Sequence, residues 1–184
     1  MKFLKLLSPL KIGNITLQNR VVMAAMNLNL ADKGYASQEV TDFYVERAKG
    51  KTGLLMIGGI YVDNYGKGVP MMLSIEDDKF IPKLKEMNDA IHHANEKVMI
   101  GAQLYHSGRY SFPQIIGETP ISSSAVYNRF SKSTPRKMTL EDIEREKKAF
   151  ADAAVRAVKS GYDCIEICGS AGYLMDQFLS PLVN

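Results

Sequence analysis

A chain of 184 residues with 46% hydrophobic and 23% charged side chains has the composition of a soluble globular protein, which excludes a disordered or fibrous one. Its formal net charge of +3 is small and its Lys and Arg are scattered among acids, so the basic stripe that nucleic acid binding needs is missing. No apolar run is long enough to span a bilayer, and Pro9 and Lys11 cut the leading MKFLKLLSPLK short of a secretory core, which makes the cytoplasm the expected location.

In chain order, the first apolar run is VVMAAM at 21–26. Residues 38–48 then place Val40, Phe43, Tyr44 and Ala48 on one helical side, with Ser37 as the N-cap. LLMIGGI at 54–60 is a second run, followed by a helical pattern over 77–96 carried by Phe80, Leu84, Met87, Ile91 and Ala94. VMIGAQL at 98–104 is the third. Residues 140–160 carry the strongest helix signals: Thr139 caps with Asp142, Met138 and Ile143 can staple the entry, and Gly161 closes the end. CIEIC at 164–168 is the fourth run.

Continuous apolar runs, unlike alternating ones, suit strands covered on both faces, the condition of a parallel sheet. Strands alternating with helices predict βαβ units, either doubly wound or closed as a (β/α)8 TIM barrel. MAAMNLNLADKG lacks the Gly-rich phosphate turn of a Rossmann fold after its first strand, which favours the barrel. Four strands are half of a barrel and leave two sheet edges open. Residues 1–184 therefore read as one α/β unit, the N-terminal half of a barrel, with the chain truncated and either self-associating or completed by a missing half.

From Tyr105 to Met138, 34 residues rich in Ser, Pro and Tyr separate the third strand from its helix, a length usual for an active-site loop or lid. Barrel chemistry sits on this side, at the C-terminal ends of strands. Gln103, in QLYHSGR, offers one acceptor and two donors to the edge of a pyrimidine-like ring, or else tethers a loop. The small or thin Ala24, Ala25, Met26, Gly58 and Gly59 permit a flat ring to approach the backbone, or simply pack tightly. His106 reads as a loop imidazole bonded to backbone, Arg109 as a loop clamp, and His92 and His93 as solvated or structural. Glu166 shares a face with Cys164 and Cys168 and has no evident partner. The two cysteines, four apart in one strand, lie about 13 Å from each other at about 3.3 Å per residue, too far for a disulfide.

NRVVMAAM, the pair Arg47 and Ala48, QLYHSGR and GYLMDQFLSPLVN, in that order and spacing, resemble the Old Yellow Enzyme family of FMN-dependent ene-reductases over the whole chain. The resemblance implies FMN on the barrel mouth, with Ala24, Ala25, Met26 and Asn27 under the ring, Gly59 as a small second-strand contact and Gln103 on the flavin pyrimidine. It implies Tyr173 as proton donor, with NADH or NADPH as reductant and an activated alkene as the small-molecule substrate. Many members carry His-x-x-His or His-x-x-Asn where this chain has Cys168 and Ala171. That departure, with GSAGYL, is closer to the 2,4-dienoyl-CoA reductase branch, whose thioester is held differently. Cys168 and Ala171 then become substrate-side residues beside Tyr173. The alternative is a non-catalytic half-barrel that self-associates and binds flavin weakly.

Overall fold

A computed structural model describes residues 3–184; Met1 and Lys2 of the leading segment lie outside the described residues. The chain opens with a hairpin, β1 (Leu10–Ile12) and β2 (Ile15–Leu17), paired antiparallel across Gly13. Next come β3 (Val22–Met23), α1 (Gln38–Lys49), β4 (Leu54–Tyr61), α2 (Ile81–Ala94) and β5 (Met99–Tyr105). The long connection holds α3 (Pro113–Ile116) and a parallel pair, β6 (Ile121–Ser122) and β7 (Arg136–Lys137). The chain continues through α4 (Leu140–Lys159), β8 (Cys164–Ile167) and α5 (Leu174–Leu179). The main sheet has the order β3-β4-β5-β8, all parallel, which is half of a (β/α)8 barrel.

Each face of this sheet has its own core. Leu55, Ile57, Ile100, Ala102 and Leu104 face the helices and pack against Tyr44 and Ala48 of α1, Leu84, Met87 and Ile91 of α2, and Phe150, Ala153 and Ala157 of α4. On the opposite face Leu54 and Met56 meet Leu17, with Met99 and Cys164 alongside, so the hairpin caps the end of the sheet remote from the strands' C-termini. This double burial is why β4 shows no polar alternation. The edges differ from the expectation of covered strands: Val22 is 49% exposed, Ile165 42% and Ile167 53%, because no described element lies over them.

Local chemistry sets the element ends. Ser37 Oγ accepts the Val40 N–H at 3.2 Å. Thr139 Oγ1 accepts the Asp142 N–H at 3.1 Å while Asp142 Oδ2 accepts the Thr139 N–H at 2.7 Å, the reciprocal cap expected of α4. Gly161, at φ 84, follows the C-cap, and Met138 and Ile143 pack together beside Leu174. The second helix is shorter than the 77–96 pattern. Asp77 caps a separate 3-10 turn, Asp78–Phe80, and Pro82 sits in the first turn of α2, where its missing N–H costs nothing. The first strand is shorter too: its ladder to β4 ends at Met23↔Leu55, leaving the small residues after it, poor strand formers, on the rim.

Candidate active site

At the C-terminal ends of the strands lies a cavity of about 530 Å³. Ala25, Asn27, Gly59 and Gln103 contribute one side of its lining; Gly68, Val69, Met72, Tyr105, Tyr110, Phe130, Cys168, Ser170, Ala171 and Tyr173 complete it. Of the residues singled out from sequence, Ala25, Asn27, Gly59, Gln103, Cys168, Ala171 and Tyr173 are thus brought together. Ala24 is exposed on the rim, and Met26 lines a separate narrow cleft with Leu28, Val40 and Tyr44; neither lines the cavity.

Gly58 and Gly59 make room for neighbouring side chains. A Cβ at Gly58 would stand 2.6 Å from Gln103 Cβ, and one at Gly59 2.7 Å from the Tyr105 ring. Tight packing between β4 and β5 thus accounts for Gly58, while Gly59 serves both the packing and the cavity wall. Gln103 donates an Nε2–H to Glu166 Oε1 at 2.5 Å, across the register Gln103↔Glu166 of adjacent strands. Glu166 therefore has the partner that sequence reasoning could not supply.

Tyr173 precedes α5 at a turn in which Ala171 (φ 58) and Gly172 (φ 78) are both left-handed. For Ala171 that conformation costs about 1–2 kcal/mol, of the kind tolerated where a site demands a particular chain path. Gly172 is required twice over: a Cβ would also stand 2.9 Å from the Tyr110 ring. The Tyr173 ring meets Tyr105 edge-on at 4.5 Å and Tyr110 at 6.0 Å. Burial, and next the neighbouring Tyr173, hold the Tyr105 phenol far above its ordinary pKa, so Tyr105 remains neutral. Cys168 is buried and both thiols are free; burial pushes the Cys164 thiol up.

The long connection is an ordered wall. Arg109 Nη2 donates to the carbonyls of Val126 and Tyr127 at 3.2 and 2.7 Å, the loop clamp expected. His106 Nδ1 accepts the Gly108 N–H at 3.0 Å, again as expected. Its Nε2 lies 3.4 Å from the buried Glu146 Oε2, and ligand-type atoms of Asp63, His106 and Glu146 all fall within 4.8 Å of one another. Nδ1 is engaged by the Gly108 N–H, while Nε2 and Glu146 Oε2 have no hydrogen-bond partner among the described residues, so their approach is not a hydrogen bond. Burial, then Glu146, raises the Asp63 carboxyl. Burial opposes the charge of Glu146, yet His106 and Arg145 outweigh it and hold that carboxyl down. His92 Nε2 pairs with Asp163 Oδ2 at 3.0 Å on the helical side, away from the cavity.

Sequence reasoning missed the aromatic walls Tyr110 and Phe130, the Gly68–Met72 segment and the buried amide of Gln177. Its place beside Asp176 within the otherwise apolar LMDQFL was the one signal for the last.

A profile of the NADH:flavin oxidoreductase / NADH oxidase family matches residues 5–184. The NADH oxidase of Thermoanaerobacter brockii is 40% identical over 99% of this chain, which spans 28% of that relative. Among solved structures, an Old Yellow Enzyme homologue from Zymomonas mobilis superposes with a TM-score of 0.90 at 26% identity, over 98% of this chain and 52% of its own. A 2-naphthoyl-CoA reductase in complex with 2-naphthoyl-CoA gives 0.92 at 30% identity, over 98% of this chain and 29% of its own. The chain thus spans between a quarter and about half of these proteins, and the part it matches is the strand and helix series that builds the cavity described above. With a profile match over nearly its whole length, the chain belongs to the NADH:flavin oxidoreductase / NADH oxidase family.

Proposed function

We propose that this chain supplies part of the active site of a flavin-dependent NAD(P)H oxidoreductase that reduces the activated C=C of an enone, enoate or 2,4-dienoyl thioester. The observation that carries the reading is a single cavity in which the Tyr173 phenol and the Gln103 amide both take part, beside the thin Ala25 and Gly59. The donor set fits the isoalloxazine of FMN: Gln103 keeps a free carbonyl oxygen and a second N–H after bonding Glu166, the pairing a pyrimidine edge needs. Ala25, Asn27, Gly59 and Gln103 would hold the ring. When bound, FMN supplies the hydride it has received from NADH or NADPH.

Tyr173 supplies the proton that reduction of the alkene requires, its phenol O–H being the general acid in the cavity wall. Tyr105, kept neutral beside it, packs edge-on and limits the tilt of that ring. Cys168 and Ala171 form a wall with no strong donor, so a substrate carbonyl finds its hydrogen bonds elsewhere; a thioester anchored through its distant carrier suits such a wall. The likeness to a 2-naphthoyl-CoA reductase supports the thioester choice. In flavin-loaded protein, Tyr173→Phe should slow alkene reduction by about 100-fold while leaving flavin reduction by NAD(P)H within about twofold. Equal slowing of both half-reactions in stopped flow would sink the assignment.

A second reading rests on the exposed Val22, Ile165 and Ile167 at the two sheet edges. Open, apolar edges are templates for pairing, and we propose that residues 1–184 on their own form one half-barrel domain that associates with a second half or copy and holds flavin weakly. Light scattering with a flavin titration tests it; a monomer that binds FMN at about micromolar affinity or better excludes it.

A further inference from the structure

Gln177 lies on α5, four residues beyond Tyr173, with 0% of its surface exposed. Its carboxamide bonds in every direction. Oε1 accepts the Arg109 N–H at 3.2 Å and the Ser122 hydroxyl at 2.9 Å. Nε2 donates to the carbonyls of Ser107 at 3.1 Å and Gly172 at 2.7 Å. Two accepted and two donated bonds from one planar group are what an amide alone can make; a carboxylate has no donor and an aliphatic chain has neither. The backbone of the same residue donates to Tyr173 O at 2.9 Å and accepts from Ser123 Oγ at 2.7 Å.

The segments tied together have different origins. Ser107 and Arg109 follow β5, which carries Gln103 and Tyr105. Ser122 and Ser123 belong to the long connection. Gly172 and Tyr173 follow β8. Gln177 itself is absent from the cavity lining, so it has no contact with a substrate there. Its leverage falls on the left-handed turn Ala171–Gly172, whose path aims the next residue.

We infer that Gln177 is a positioning residue: by holding the Gly172 carbonyl and the Ser107–Arg109 backbone at once, it sets the aim of the Tyr173 phenol relative to the flavin end of the cavity. This rests on the reading of Tyr173 as proton donor. The route through Tyr173 makes a double-mutant cycle decisive. Gln177→Glu keeps the size of the side chain, but at neutral pH it turns a carboxylate toward two carbonyls. Protonation restores one donor, so the defect should ease as pH falls, which loss of an inert packing group does not explain.

The experiment follows flavin reoxidation by cyclohexenone in stopped flow, on flavin-loaded protein, for wild type, Gln177→Glu, Tyr173→Phe and the double variant across pH. Expected is about tenfold slowing by Gln177→Glu alone, partial recovery in acid, flavin reduction by NADH within about twofold, and less than about twofold further effect of Gln177→Glu once Tyr173 is Phe. The same slowing factor in both Tyr173 backgrounds, or no recovery in acid, overturns the proposal. If Tyr173→Phe alone leaves reoxidation unchanged, the proton-donor reading falls and this proposal with it, a result visible in the single variant. Should Gln177→Glu fail to hold flavin, Ser122→Ala removes one donor to Oε1 without burying a charge. It should slow reoxidation about two- to threefold with the same non-additivity, and additivity there overturns the proposal equally.

Discussion

Gly108→Ala is expected to destabilise the protein by about 3–5 kcal/mol, with two separable causes. Gly108 has φ 58, and a left-handed residue with a Cβ costs about 1–2 kcal/mol. An ideal Cβ would also stand 2.3 Å from Gln177 Oε1 and 2.6 Å from Nε2. A flexible side chain could swing clear, but this one is fully buried and bonded to Arg109, Ser122, Ser107 and Gly172, so relief means overpacking or broken bonds, about 2–3 kcal/mol more. Gly117 is the control: its φ is 77 and nothing lies within 4 Å of its added Cβ, so Gly117→Ala should show the backbone cost alone. At roughly 2–4 °C per kcal/mol for a chain of this size, the melting temperature should fall by about 12 °C for Gly108→Ala and about 4 °C for Gly117→Ala. Thermal unfolding followed by circular dichroism compares the two. Equal losses would refute the claim that Gln177 is immovable.

Gln103→Leu should weaken flavin retention and shift the flavin reduction potential, because it deletes the donor and acceptor facing the cavity and leaves Glu166 unpaired; unchanged affinity and potential in a titration would remove Gln103 from the site. Asp142→Asn should cost about 1–2 kcal/mol at pH 7, the worth of a helix cap plus ion pairs to partly exposed arginines. Arg136 above all, with burial opposing and the Thr139 backbone assisting, holds the folded Asp142 carboxyl well below the usual carboxylate range. A depressed folded pKa contributes stability that is complete above the unfolded value and is lost as pH falls from there through the folded one. Wild type should therefore lose stability more steeply than the variant below about pH 4.5, and parallel acid limbs in urea unfolding would contradict the pairing.

What the sequence determined by itself was local and periodic. The reciprocal Thr139–Asp142 cap, the Ser37 cap and the doubly buried run at 54–60 follow from spacing and side-chain chemistry within a few residues, and each is present as expected. The motifs QLYHSGR and GYL pointed to Gln103 and Tyr173, and both residues line the same cavity at the strands' C-terminal ends. Tertiary structure decided the rest, where partners are distant in sequence. Whether Gly59 leaves space for a ring depends on Tyr105, which fills part of it. Whether Glu166 is paired depends on the register that sets it against Gln103, and which of Ala24 to Asn27 face the cavity depends on where the ladder of β3 ends. The order within the long connection comes from Arg109, which bonds Val126 17 positions away, and Gln177, which bonds Ser107 70 positions away, beyond the range of any periodicity. A buried amide can be satisfied only once the chain has folded around it.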